Sequence, residues 1–145
     1  MNLPTNVLNE ATKKEFLERF YDCDDAVIRS IDIIYPYGWF TRPNPGEKET
    51  TRVNILLSVR DKLSNGGWCN LVLMLSEVLE LKVAEPHGGY NSVLSDGLKL
   101  AWFDGSVFVD LSLNDNDLKS VDAFRRSNRY VGAKELHWRV EEYDR

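Results

Sequence analysis

Thr51-Arg52-Val53-Asn54-Ile55-Leu56-Leu57-Ser58-Val59-Arg60 is the stretch on which the fold turns. Val53, Ile55, Leu57 and Val59 fall on one side of an extended chain. Arg52, Asn54, Ser58 and Arg60 dominate the other. Successive side chains of a strand point to opposite faces, so this pattern is that of an antiparallel strand with one face on a core and one in water.

On its C-terminal side, Ser64-Asn65-Gly66-Gly67 supplies residues that tolerate positive φ and predicts a hairpin return through Trp68 to Ser76. Cys69 shares the apolar side of that strand with Leu71, Leu73 and Leu75. Val78 to Ala84 reads as a further strand, with Leu79, Leu81 and Val83 on one face, ended by Pro86, Gly88 and Gly89. Asp104-Gly105 between Leu98–Phe103 and Val107–Leu111 is a strong two-residue hairpin signal. Asn114 to Arg126 is polar with Leu118, Val121 and Phe124 spaced by three, which suits a short helical turn or a surface loop. A last strand is predicted near Ala133 to Tyr143, with Leu136, Trp138 and Val140 facing one way and His137, Arg139 and Glu141 the other.

On the N-terminal side, Ala26 to Tyr35 is rich in β-branched residues but carries isoleucine on both faces. Before it, Thr12-Lys13-Lys14-Glu15 fits a capping box, and Phe16, Leu17 and Phe20 form one apolar stripe. A helix over about 12–21 follows, able only to cover something else. The expected fold is mainly β: a single domain over 1–145 with one N-terminal helix. About seven antiparallel strands, from about residue 26 onward, form a bent sheet, either a sandwich or a partly closed barrel.

Composition agrees with one core. The chain has 145 residues, 43% hydrophobic and 28% charged, large enough to bury roughly two thirds of its unfolded surface. The longest apolar run, Leu71 to Leu75, is too short to cross a bilayer, and Met1-Asn2-Leu3-Pro4 does not open a signal peptide. A cytoplasmic protein without a membrane partner is expected. Eighteen basic against 23 acidic side chains give a net charge of −5, which disfavours nucleic acid and favours a basic partner.

Chemistry-bearing motifs are sparse. There is no nucleophile elbow, no glycine-rich phosphate loop and no metal-ligand spacing, so no catalytic residue, metal or cofactor is assigned. Cys23 stands among Asp22, Asp24 and Asp25 just beyond a helix C-terminus, a field that disfavours the thiolate. Arg125-Arg126-Ser127-Asn128-Arg129-Tyr130 is the one basic concentration with an aromatic: a nucleic-acid contact or, more in keeping with an acidic protein, a solvated face or an intramolecular partner for the aspartates. Tyr35-Pro36-Tyr37-Gly38-Trp39-Phe40-Thr41-Arg42-Pro43-Asn44-Pro45 has the aromatic-and-arginine composition of protein-recognition hot spots, or else folds back over the end of the sheet.

Taken in order, several short stretches carry a resemblance. They are Phe20-Tyr21-Asp22, Asp25-Ala26-Val27-Ile28-Arg29-Ser30-Ile31, Trp68 opening a strand, Asp96-Gly97-Leu98 entering another, and Ser127 to Tyr130 before Leu136-His137-Trp138. From about Phe16 onward this layout resembles a family of mostly-β immunity proteins encoded beside bacterial polymorphic toxins. The family's histidine-aspartate pair after the leading aromatic is here Asp24-Asp25 or Tyr21-Asp22. The resemblance implies a non-enzymatic inhibitor that binds a cognate toxin domain. Its expected contact surface is Asp22, Asp24 and Asp25 together with Tyr37, Trp39, Phe40 and Arg42. Two other readings stand beside it. One is a small-molecule carrier with an apolar barrel cavity and Tyr90 or Trp102 on the ligand. The other is an enzyme with a dispersed site such as His87 with Asp96.

Overall fold

The computed structural model describes residues 5–36, 50–84, 92–112 and 118–141. Eight strands form one antiparallel sheet: β1 (Asn6–Val7), β2 (Ala26–Ile34), β3 (Arg52–Arg60), β4 (Trp68–Val83), β5 (Val93–Leu94), β6 (Lys99–Phe103), β7 (Ser106–Asp110) and β8 (Arg129–Glu141). The spatial order is β5-β2-β3-β4-β8-β7-β6, with β1 pairing β8 beyond the end of β7. Among the described residues two short α-helices complete it, α1 (Lys13–Arg19) and α2 (Val121–Arg125), with single 3-10 turns at Tyr21–Cys23 and Asn65–Gly67.

The sheet curls into a half-barrel, and connectivity shows how tightly. β5 and β6 lie at opposite edges of the strand order, yet they are joined by Ser95-Asp96-Gly97-Leu98 alone. Five Cα steps span at most about 18 Å, so the two edges face each other across a narrow seam. The predicted bent, mainly β sheet with one N-terminal helix is the fold observed, in its partly closed form.

Val53, Ile55, Leu57 and Val59 are fully buried on the inner face, as their alternation predicts. Opposite them across the β3–β4 ladder stand Leu75, Leu73, Leu71 and Cys69. The facing ambiguity of β2 is settled by a bulge. Its register slips between Ile28 and Ser30, so Ile28, Ile31 and Ile33 all pack on the core, although 28 and 31 differ in parity. One extra residue, Arg29, reverses the phase of everything after it.

The same physics fuses the two strands predicted over Trp68–Ser76 and Val78–Ala84. Both belong to the 16-residue β4. Glu77 takes a φ of 51°, and the pairing with β8 shifts between Val78 and Glu80. Inward positions therefore run Leu71, Leu73, Leu75, Val78 and Leu81, while Leu79 and Val83 turn outward, 56% and 42% exposed. The predicted Leu79-Leu81-Val83 face does not exist.

The Asp104-Gly105 hairpin is as expected, with φ of 50° and 78° at its two central residues and Phe103 opposite Ser106. The last strand begins earlier than expected, at Arg129, and within it Leu136, Trp138 and Val140 face the core. The polar segment before it contains the helical turn α2, whose N-cap Ser120 accepts from the Ala123 amide at 3.1 Å. Phe124 of α2 packs with Phe108 and Phe103 at ring separations of 5.7 and 6.0 Å, a second small core outside the sheet.

Helix α1 is shorter than the predicted 12–21, and its capping box is not formed. Thr12 is the N-cap residue but caps nothing. Its hydroxyl accepts from the Asn9 amide while Asn9 Oδ1 accepts from the Thr12 amide, both at 3.0 Å. The reciprocal pair thus stabilises the turn before the helix. The apolar stripe behaves as read: Phe16 and Phe20 are buried against each other and against Trp138, with centroids 5.1–5.4 Å apart. Lys13 Nζ donates to the Leu100 carbonyl on edge strand β6 at 2.8 Å. The helix therefore lies across the opening of the half-barrel.

Candidate binding surface

The acidic run after α1 becomes a tight turn. Tyr21, Asp22, Cys23 and Asp25 all have φ between 54° and 60°, a left-handed conformation that Asp accepts more readily than Tyr or Cys. Each such residue costs on the order of 1 kcal/mol and persists only if its surroundings hold it. Here they do. Phe20 and Cys23 are fully buried on either side, and Cys23 and Asp24 amides bond back to Phe20 and Tyr21 at 2.9 and 3.0 Å. The Asp25 amide donates to the Leu94 carbonyl, and Leu98 donates to that of Asp22 at 3.0 Å. Gly97 completes the clamp: at φ of 82°, a Cβ there would stand 2.5 Å from the Asp22 carbonyl oxygen and 2.8 Å from Asp24 Oδ1.

The turn thus pins the acidic residues to the seam between the sheet edges. Asp22, Asp25 and Asp96 are exposed and Asp24 half-buried. Asp22, Asp24 and Asp96 share a cleft of about 360 Å³ with Lys13 and Lys99. Both lysines donate to backbone carbonyls, Leu100 and Asp96 respectively, at 2.8 Å. Among the described residues none of Asp22, Asp24 and Asp25 forms an ion pair. Cys23 is no nucleophile: burial, then the Asp22 charge, push its thiol pKa far up. Burial, followed by the charge of Asp61, pushes that of Cys69 up to about 12.

Beside the acidic turn lies a feature that sequence reasoning missed. Tyr21, 41% exposed, carries the Arg60 guanidinium 4.7 Å and the Lys62 ammonium 5.1 Å from its ring centre. Arg19 forms a bidentate ion pair with Asp61 at 2.9 and 3.1 Å and lies over the Phe20 and Trp138 rings. Burial alone would raise the Asp61 pKa, but hydrogen bonds from Arg19, Ser64 and the Leu63 amide outweigh it and bring it to about 2. Nothing in the local sequence pairs Arg19 with Asp61, 42 positions away. The one signal was a charged residue at the mouth of a glycine-rich turn.

The basic strip is engaged internally only in part, through Glu80 on β4 and not through the aspartates of the acidic turn, while Arg126 is exposed and forms no ion pair among the described residues. Arg125 makes a bidentate pair with Glu80 at 2.7 and 2.8 Å, and the Tyr130 hydroxyl donates to the same carboxylate at 3.0 Å. The Arg125 bond, chiefly, holds Glu80 below the usual carboxylate range. Ser127 donates to Asp110, which is fully buried with Oδ2 unpartnered. Burial raises the Asp110 pKa, against the Ser127 and Ser112 bonds. His137 lies half-buried on the outer side of β8, and Trp102 lines a separate shallow cleft with Asn9, Glu10 and Asp104. Tyr37, Trp39, Phe40, Arg42, His87 and Tyr90 lie outside the described residues. No group of three potential metal ligands stands together among the described residues, and no helix there is long and apolar enough to cross a membrane.

The chain matches no protein-family model, no curated protein and no solved structure.

Proposed function

We propose that this chain is a non-enzymatic protein-binding domain, and specifically an immunity protein that neutralises a cognate bacterial toxin in the cytoplasm. The observation that carries the reading is the Asp22–Asp25 turn. Among the described residues its carboxylates have no ion pair, and they stand on a backbone clamped by the β5–β6 connection. Rigid presentation of unneutralised charge is what steers and orients a basic partner, and the overall charge of −5 acts in the same direction. The inner face, where a carrier would hold its ligand, is filled by Val53, Ile55, Leu57, Leu71 and Leu73, all fully buried.

The test is co-expression with the product of the adjacent gene in a bacterial growth assay. Protection by the wild-type chain, lost in Asp22→Lys/Asp25→Lys without a change in melting temperature, supports the reading. Undiminished protection by the double variant moves the contact off this turn. An adjacent product that neither arrests growth nor co-elutes with this chain sinks the immunity assignment.

A further inference from the structure

We propose that the groove between α1, β1 and the β3–β4 turn docks a segment of a partner protein in which a bulky apolar side chain stands beside a glutamate or aspartate. This goes beyond the toxin reading, because the groove shares no lining residue with the acidic turn. Its volume is about 470 Å³, within the range of preformed ligand sites and room for about two large side chains. Phe16, Trp138, Val7 and Leu63 are its apolar lining. Val7 and Leu63 are 55% and 74% exposed, large aliphatic surface left in water at the mouth of a concavity.

Charge sets the chemistry of the occupant. At one end stand Arg19 and Lys62, brought together by the Lys62 amide donating to the Arg19 carbonyl at 3.2 Å. Arg19 commits Nε and Nη2 to Asp61, and its Nη1 donors bond nothing among the described residues. Because the bidentate pair with Asp61 holds the guanidinium carbon 4.8 Å from the Phe20 ring centre and 5.4 Å from that of Trp138, those donors are already oriented before anything binds. Lys62 and the neighbouring Arg60 form no ion pair among the described residues. At this end of the groove Arg19 Nη1 and Lys62 Nζ are thus left without a carboxylate among the described residues. Glu15 lines the groove one helical turn before Arg19 and repels an acid from that end. A carboxylate is therefore directed to Arg19 Nη1 and Lys62 Nζ, with its apolar neighbour on Trp138, Val7 and Leu63.

The test is NMR titration of the isotope-labelled full chain with the blocked peptide Ser-Leu-Phe-Glu-Ser and its Gln counterpart. The Glu peptide is expected to shift the Trp138 indole and the Val7 and Leu63 methyl signals saturably. The Gln peptide should bind about tenfold more weakly, the loss of one charge-assisted contact. Lys62→Glu should reproduce that loss, and Leu63→Asp should abolish the shifts. Lys134→Glu, a charge change on an exposed β8 residue away from the groove, should leave them intact. If Lys62→Glu disturbs the amide spectrum of the free chain, Lys62→Gln takes its place. Equal binding of the two peptides, shifts mapping elsewhere, or no saturable shift overturns the proposal. So does concentration-dependent movement of the Leu63 signals without peptide, which would make the occupant a second copy of this chain.

Discussion

The acidic turn at Asp22–Asp25 follows α1, and the basic strip at Arg125–Tyr130 starts from the last residue of α2; each carries three like charges. Their fates are opposite. Arg125 of the strip is paired with Glu80, a residue 45 positions away on β4, and Tyr130 folds into the outer core beside Phe124. The turn finds no counter-ion among the described residues, and its contacts are to backbone: the Leu94 carbonyl, the Leu98 amide and the bare Cα of Gly97. A charged run becomes a surface for a partner or a piece of the protein's own structure according to what the topology brings opposite it.

Breaking the clamp should have the largest effect. Gly97→Ala places a methyl against the Asp22 carbonyl and forces a left-handed backbone on a residue with a Cβ, costing about 3 kcal/mol in chemical denaturation. If the loss is confined to a few tenths of that, the turn is not held by the β5–β6 connection.

Asp61→Ala comes next, at about 2 kcal/mol, since Arg19 loses its partner and the Leu63 amide its acceptor. The Arg19–Asp61 pair extends the comparison to a charge neutralised in the interior. The Asp61 pKa is lowered from its ordinary value to about 2. The stability it contributes is therefore fully present above pH 4 and is lost as pH falls through about 2. Wild type should show this acid-limb loss and Asp61→Asn should not; parallel pH profiles for the two would refute the assignment.

Glu80→Gln frees Arg125 and should cost only about 0.5–1 kcal/mol, because Arg125 is half exposed. It should also lengthen retention on a heparin column by making the strip resemble the unpaired cations around Tyr21. Unchanged retention would mean that Glu80 was not masking the strip. Smallest of all, Asp22→Asn/Asp25→Asn should change stability by no more than about 0.5 kcal/mol, as exposed carboxylates without partners. A larger loss in melting experiments would make the turn structural.

Alternation along β3 and the inner residues of β8 fixed the sheet from sequence, because strands with a single buried face repeat every two residues. The pattern misled wherever a residue was inserted. Arg29 in β2 and the Glu77–Leu79 region of β4 reset the phase, and at Glu77 that reset looked like a strand end. The acidic turn was visible as a cluster, but its left-handed backbone depends on Gly97, more than 70 residues later. The groove was invisible for the same reason: Val7, Arg19, Lys62, Leu63 and Trp138 come from four separate stretches. Thr12 and Glu15 matched a capping box because local spacing constrains which bonds can form, not which do.

Strand β8 is inserted between β4 and β7, which precede it in sequence, and its ladder with β4 is the longest in the molecule. Until residues 129–141 have left the ribosome, β4 and β7 each present a bare row of amides and carbonyls to solvent. Folding of this chain is consequently a late event governed by non-local pairing, with slow kinetics expected and a window of aggregation risk that ends when the final ladder zips.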